Sequence, residues 1–143
     1  MNDIKGVYLD SSIIIRRTFG QPGSFPDLEF ETAFSSELVA VEVKRTIANR
    51  HLLEPLTPEA LLEAQEQAEM NLATVEILPV DRVVLNRAMA TFPTRIGALD
   101  AIHLATALIW ADYVDPQLVF LTHDRQLSIA ARACGLRVYP DPV

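Results

Sequence analysis

Short apolar runs alternate along the chain with longer segments in which apolar residues recur every three or four positions. The longer spacing is that of a helix that buries one face, and a short run flanked by turn residues is typical of a strand. The short runs predict strands at 6–10, 29–35, 75–80, 118–122 and 136–139. The longer segments predict helices at 37–49, 57–72, 82–91, 100–112 and 125–135, and the turn after the first strand also leads into a helix.

Strands that alternate with helices indicate a parallel sheet covered by helices on both faces. The predicted strands include the continuously apolar runs VYL, VEIL and VFL, as strands buried on both faces do. In such a fold, ligands bind beyond the carboxyl ends of the strands, at the point where the strand order reverses. The residues that follow these strands are therefore the first candidates for a functional site.

Capping residues indicate where several of the helices begin and end. Thr57 is followed by proline, and Asp81 and Asp124 each precede a helical segment, as N-cap residues do. Gly135 is placed to end the last long helix in the left-handed conformation. The segment 20–27 is rich in proline and glycine and predicts a loop.

The composition is that of one globular domain over residues 1–143. Half of the residues are hydrophobic, which excludes a disordered chain. Cys134 is the only cysteine, so an internal disulfide is excluded, and no cysteine and histidine cluster has the spacing of a zinc site.

Neither a signal peptide nor a membrane span is predicted. Asp3 and Lys5 lie beside the first short apolar run, and the apolar stretch 101–111 is interrupted by His103 and Thr106. These features predict a cytoplasmic protein with no membrane contact. The net charge of −7 argues against a general nucleic-acid coat, but a site that gathers carboxylates for a metal also raises the acid count.

Four acidic residues occupy positions that converge in the predicted fold. Asp10 and Asp124 follow apolar strands, whereas Glu42 and Asp100 lie on helices expected to flank the same edge of the sheet. Two full charges about 4 Å apart repel by roughly 4 kcal/mol at an effective dielectric near 20. Such a cluster is stable when it stays protonated, is widely spaced or binds cations, and oxygen ligands suit Mg²⁺ or Mn²⁺.

Each of these residues also has a purely structural interpretation. The three aspartates can cap helices, and Glu42 can form a surface ion pair with Arg45, three positions later. His103 lies one turn after Asp100 in a nearly all-apolar helix. We therefore expect His103 to be a hydrogen-bonded core residue that contacts Asp100.

Four segments together resemble the PIN-domain family, and within it the VapC-type toxins. The most specific are the D-A-x-H-L-A-x-A pattern of LDAIHLATAL and the T-x-D turn of FLTHDRQL further along the chain. The segments follow the order of the family, at 8–12 (YLDSS), 36–45 (SELVAVEVKR), 99–108 and 120–127.

The resemblance implies a three-layer α/β/α fold with a central parallel sheet and an endoribonuclease that depends on Mg²⁺ or Mn²⁺. It also implies that RNA is the substrate, that the chain forms a homodimer, and that a small cognate antitoxin restrains it. The catalytic and metal-binding acids implied by the family pattern are Asp10, Glu42, Asp100 and Asp124. The residues expected to hydrogen-bond these acids or their waters are Ser12, Thr122 and His103.

Other functions are either disfavoured by particular positions or remain open. A phosphohydrolase with an aspartyl nucleophile needs an acid two residues after Asp10, where Ser12 stands. A phospho-acceptor regulatory domain needs a lysine after a late strand, and the only lysines are Lys5 and Lys44. A PIN nuclease of RNA processing and a catalytically inactive PIN fold that binds a partner remain as alternatives.

Overall fold

The computed structural model describes residues 4–22 and 28–140, so most of the loop predicted at 20–27 lies outside the described residues. The strands in this part are β1 (Gly6–Leu9), β2 (Thr32–Ser36), β3 (Glu76–Leu78), β4 (Val119–Leu121) and β5 (Arg137–Tyr139). The helices are α1 (Ser11–Thr18), α2 (Leu38–Leu53), α3 (Pro58–Ala73), α4 (Arg82–Met89), α5 (Ala98–Tyr113) and α6 (Arg125–Ala133). Over these described ranges, no helix has the length and apolarity that crossing a bilayer requires.

The strands form one parallel sheet in the order β3-β2-β1-β4-β5. β1 lies at the centre, where Tyr8 is paired with Phe34 of β2 and with Phe120 of β4. The chain moves outward on one side of β1 and later continues on the other side, so the strand order reverses between β1 and β4. The carboxyl ends of these two strands therefore mark the crevice where parallel sheets bind ligands.

Helices cover both faces of the sheet, which confirms the predicted three-layer architecture. Because successive residues of a strand point to opposite faces, Val7 and Leu9 pack into the core beneath α1, α2 and α3. Tyr8 packs into the other core, beneath α5 and α6. All three side chains are at most 1% exposed, so the continuously apolar sequence of β1 follows from its burial on both sides.

Side-chain caps begin three helices at the predicted residues. Thr57, Asp81 and Asp124 each accept a backbone N–H from the helix that follows, at 3.1, 2.9 and 3.0 Å respectively. Gly135 has a φ angle of 91°, the left-handed conformation in which glycine ends a helix. These local signals therefore locate the starts of α3, α4 and α6 and the end of α6.

Two local expectations are wrong. β3 is not buried on both faces: Glu76 and Ile77 are exposed, because β3 lies beside β2 at the edge of the sheet that the described residues form. α5 begins at Ala98 with Gly97 at its N-cap, so Asp100 does not cap this helix. Asp100 instead lies in the first turn, where the helix dipole favours a negative charge.

Candidate active site

Asp10 lies at the carboxyl end of β1, where it is buried and caps α1. Its Oδ1 accepts the backbone N–H of Ser12 at 3.0 Å and also the Ser12 hydroxyl. Its Oδ2 accepts the Thr122 hydroxyl at 2.7 Å. Burial raises the pKa of Asp10, whereas the hydrogen bonds from Ser12 and Thr122 lower it. Asp10 therefore contributes a fixed carboxyl group at the edge of the sheet.

Two hydroxyl groups connect the turn after β4 to Asp10. Thr122 donates to Asp10 and accepts the backbone N–H of Asp124 at 3.0 Å. Ser12 likewise donates to Asp10 and accepts the backbone N–H of His123 at 2.9 Å. The structure thus places Ser12 and Thr122 against an acid, as the sequence predicts. Asp124 follows them as the exposed N-cap of α6.

Glu42 lies in α2 and faces the interior rather than solvent. Its Oε2 accepts the Ser11 hydroxyl at 3.2 Å, and its Oε1 is hydrogen-bonded to Nε2 of His103. The alternative of a surface ion pair with Arg45 is wrong, because the Arg45 guanidinium donates to Asn49 on the same helix. Only 19% of the Glu42 side chain is exposed, so this carboxylate belongs to the same edge of the sheet as Asp10.

His103 is a hydrogen-bonded core residue, as predicted, but its partner is not Asp100. The ring is 1% exposed and is hydrogen-bonded to the Tyr8 hydroxyl through Nδ1, at 2.7 Å, and to Glu42 through Nε2. His103 lies one turn deeper into the fold than Asp100, where the neighbouring polar group is Glu42. The predicted contact with Asp100 is therefore wrong, because both ring nitrogens of His103 already have other partners.

Asp100 shows that the four predicted acids converge. Its pKa is raised to about 6, first by partial burial and then by the negative charges of Asp124, Asp10 and Glu42. These three acids lie after β1, on α2 and in the turn after β4, and the charges of all three act on Asp100 at the start of α5. The structure therefore brings together Asp10, Glu42, Asp100 and Asp124, which we call the acidic cluster.

The acidic cluster suits a hard divalent cation held in an open manner. All of its donor atoms are carboxylate oxygens, which Mg²⁺ and Mn²⁺ prefer. Within residues 4–22 and 28–140, no three acidic, histidine or cysteine side chains lie close enough together to hold a metal ion by themselves. Mg²⁺ is commonly held through one or two carboxylates and several waters, so the raised pKa of Asp100 and the oxygen donors fit that mode.

Two residues that hold the cluster were missed from the sequence. Ser11 donates to Glu42, and Tyr8 is hydrogen-bonded to His103. The Ser11 hydroxyl had no local signal, because it stands in an ordinary strand-to-helix turn. Tyr8 did offer one: a tyrosine in a fully buried strand needs a hydrogen-bond partner for its hydroxyl.

Comparisons with known proteins agree with the fold and identify its family. The family model described as PIN domain matches residues 7–132. The chain is 31% identical over 137 residues to "Ribonuclease VapC46" of Mycobacterium tuberculosis (strain ATCC 25618 / H37Rv). That alignment covers 92% of this chain and 95% of the relative.

Solved structures share the fold at lower identity. A chain of the crystal structure of FitAcB from Neisseria gonorrhoeae has a TM-score of 0.64 at 20% identity, over 93% of this chain and 96% of that chain. A chain of VapBC2 from Rickettsia felis, bound to a DNA fragment from their promoter, has a TM-score of 0.60 at 12% identity, with the same coverage of 93% and 96%. These likenesses show the three-layer fold alone.

Proposed function

The chain belongs to the PIN-domain family, and on that premise we propose that it is an endoribonuclease, the toxin of a toxin–antitoxin pair, which cleaves RNA phosphodiester bonds with Mg²⁺ or Mn²⁺. The observation that carries the proposal is the pair of carboxylates held at the carboxyl edge of the sheet, where Asp10 accepts the hydroxyls of Ser12 and Thr122 and Glu42 accepts that of Ser11. The name of the curated relative, a ribonuclease, supports RNA as the substrate.

The residues of the acidic cluster have different tasks in this mechanism. A bound divalent cation would supply positive charge beside the scissile phosphate and lower the pKa of the attacking water. Asp10, Glu42 and Asp100 would hold the cation, with Asp10 kept in place by its two hydroxyl donors. Asp124, the most exposed of the four acids, would hold a second cation or orient the attacking water.

The Asp10→Asn variant tests the site directly. Asparagine has nearly the same shape and can still cap α1, but it removes the negative charge that a cation needs. We expect RNA cleavage with Mn²⁺ or Mg²⁺ to fall to the level seen in EDTA, while the circular dichroism spectrum stays that of the wild type.

A matched control is Asp81→Asn, which changes a helix-capping aspartate outside the acidic cluster. This control should cleave RNA at the wild-type rate. Full activity in Asp10→Asn would contradict the proposed site, and cleavage that persists in EDTA would contradict the role of the metal.

The toxin assignment also includes two protein partners, a small cognate antitoxin and a second copy of the chain. An apolar groove of about 480 Å³ between α2 and α3, lined in part by Ile47, Leu52 and Leu61, supports a protein-binding surface. Leu52 and Leu53 at the end of α2 are 77% and 87% exposed. Co-purification with the antitoxin, followed by the mass of the complex, tests both partners.

A further inference from the structure

A chain of hydrogen bonds links a buried tyrosine to the acidic cluster. Tyr8 on β1 contacts His103 on α5, with 2.7 Å between the hydroxyl oxygen and Nδ1. His103 in turn contacts Glu42 on α2 through Nε2 and Oε1. Tyr8 is fully buried and lies parallel to Phe120, with ring centroids 5.2 Å apart. Side chains of β1 and α5 are therefore linked by hydrogen bonds to the Glu42 carboxylate of α2.

With a neutral His103 ring, hydrogen-bond chemistry gives this chain one direction. An ionised carboxylate only accepts hydrogen bonds, so Nε2 of His103 must carry the proton that it shares with Glu42. A neutral imidazole has one N–H, so its Nδ1 accepts, and the Tyr8 hydroxyl must donate.

We propose that Tyr8 and His103 are positioning residues for Glu42: the Tyr8 hydroxyl donates to Nδ1 and fixes the His103 ring, and the Nε2–H of that ring holds the Glu42 carboxylate at the acidic cluster for a divalent cation. The inference rests on the proposed function for the identity of the cation. The inference goes beyond the proposed function because it identifies the hydrogen bonds that hold the Glu42 carboxylate in position. Each Glu42 oxygen accepts one hydrogen bond and keeps lone-pair capacity for a cation.

The tautomer can be read without any metal. Nitrogen-15 NMR of the metal-free protein reports which ring nitrogen of each histidine carries the proton, and His103 is identified because its signals vanish in His103→Gln. We expect an unprotonated Nδ1 and a protonated Nε2 in the wild type. In Tyr8→Phe we expect the same tautomer with a shifted Nδ1 signal, because the hydrogen bond to Nδ1 is lost. A wild-type ring that carries a proton on Nδ1 would overturn the proposal.

The consequence for Glu42 is read from Mn²⁺ affinity, measured by calorimetry on folded variants. Removing a residue that supports a metal ligand typically weakens binding by about 10–100-fold, and we expect this for His103→Leu. His103→Gln, whose amide can still donate to Glu42, should recover most of that loss. Tyr8→Phe should fall between His103→Leu and the wild type.

Thr106→Val is the matched control, because Thr106 is a buried residue one turn further along α5 whose hydroxyl donates to the Ile102 carbonyl. It should bind Mn²⁺ as the wild type does. Wild-type affinity in His103→Leu, or in Tyr8→Phe should His103→Leu not fold, would overturn the proposal. A wild type that binds no Mn²⁺ would instead overturn the metal-dependent function, and the tautomer would then decide the hydrogen-bond chain by itself.

Discussion

Replacing Asp100 with asparagine is expected to stabilise the metal-free protein at neutral pH. The fold raises the pKa of Asp100 from 3.8 to about 6, so its ionised form is less favourable there than in the unfolded chain. At about 1.4 kcal/mol per pKa unit, the charge costs at most about 3 kcal/mol. Solvent screening of this partly buried group reduces that cost, and the lost helix-dipole interaction subtracts about 0.3–1 kcal/mol. The expected net gain is therefore about 1–2 kcal/mol.

The stability gained in Asp100→Asn should increase as pH rises. As pH rises from 3.8 towards 6, the unfolded chain releases the Asp100 proton before the folded protein does, so the wild type loses stability. Asparagine has no proton to release. The two proteins should therefore be closest in stability below about pH 4, and the variant should unfold roughly 3–7 °C higher above about pH 7.

Differential scanning calorimetry in EDTA, with Asp81→Asn as the control, measures this difference. Asp81 is an exposed cap outside the acidic cluster, and asparagine caps a helix about equally well. Saturating Mn²⁺ should reverse the ranking, because a ligand that binds only the folded state adds about 2.7 kcal/mol at a hundred times its Kd. If Asp100→Asn is no more stable than the wild type in EDTA at neutral pH, Asp100 does not lie in partly buried, negatively charged surroundings.

Two further substitutions test the packing of β1 and the turn after β4. Gly6→Ala should destabilise the fold by about 1–3 kcal/mol in urea denaturation, because its Cβ would stand 3.0 Å from the Asp115 carboxylate and 3.1 Å from the Phe34 ring; unchanged stability would show that these neighbours move freely. Thr122→Val should lower Mn²⁺ affinity by about 10–100-fold, because the substitution removes the hydroxyl that donates to Asp10. Thr122→Ser keeps a hydroxyl and should bind Mn²⁺ nearly as well as the wild type. Equal affinity in the valine and serine variants would contradict this role of the Thr122 hydroxyl.

Most of the fold could be predicted because its signals are local. The caps at Thr57, Asp81 and Asp124 each join a side chain to a backbone N–H three residues away. The errors fall where tertiary context decides. The VEIL run suits a buried strand or an edge strand equally, and only the sheet order shows that β3 is at the edge. Gly97 and Asp100 are both acceptable N-cap residues, so the sequence allows two starts for α5 that differ by three positions.

The same distinction between local signals and tertiary context applies to the candidate site. Asp10 and Thr122 could be placed together because both follow strands whose carboxyl ends meet at one edge. The partner of Glu42 could not be predicted in this way, because the nearest candidate in the sequence is a charged residue on the same helix. The contact that forms joins Glu42 to His103, 61 positions away, and Tyr8 lies 95 positions from His103. Such contacts depend on which faces of α2 and α5 are buried.

The buried face of α2 is nevertheless encoded in its sequence, through the four-residue spacing of Val39, Val43 and Ile47. At roughly 100° per residue, these side chains form one stripe, with Glu42 about 100° from its centre and Arg45 about 160° away. Burial of that stripe therefore places Glu42 at the margin of the core and Arg45 towards solvent. The observed contacts agree, since Val39 and Val43 are fully buried and Val41, on the Arg45 side, is 60% exposed. The apolar stripe, rather than the nearest opposite charge, predicts which partner an acid on a packed helix will find.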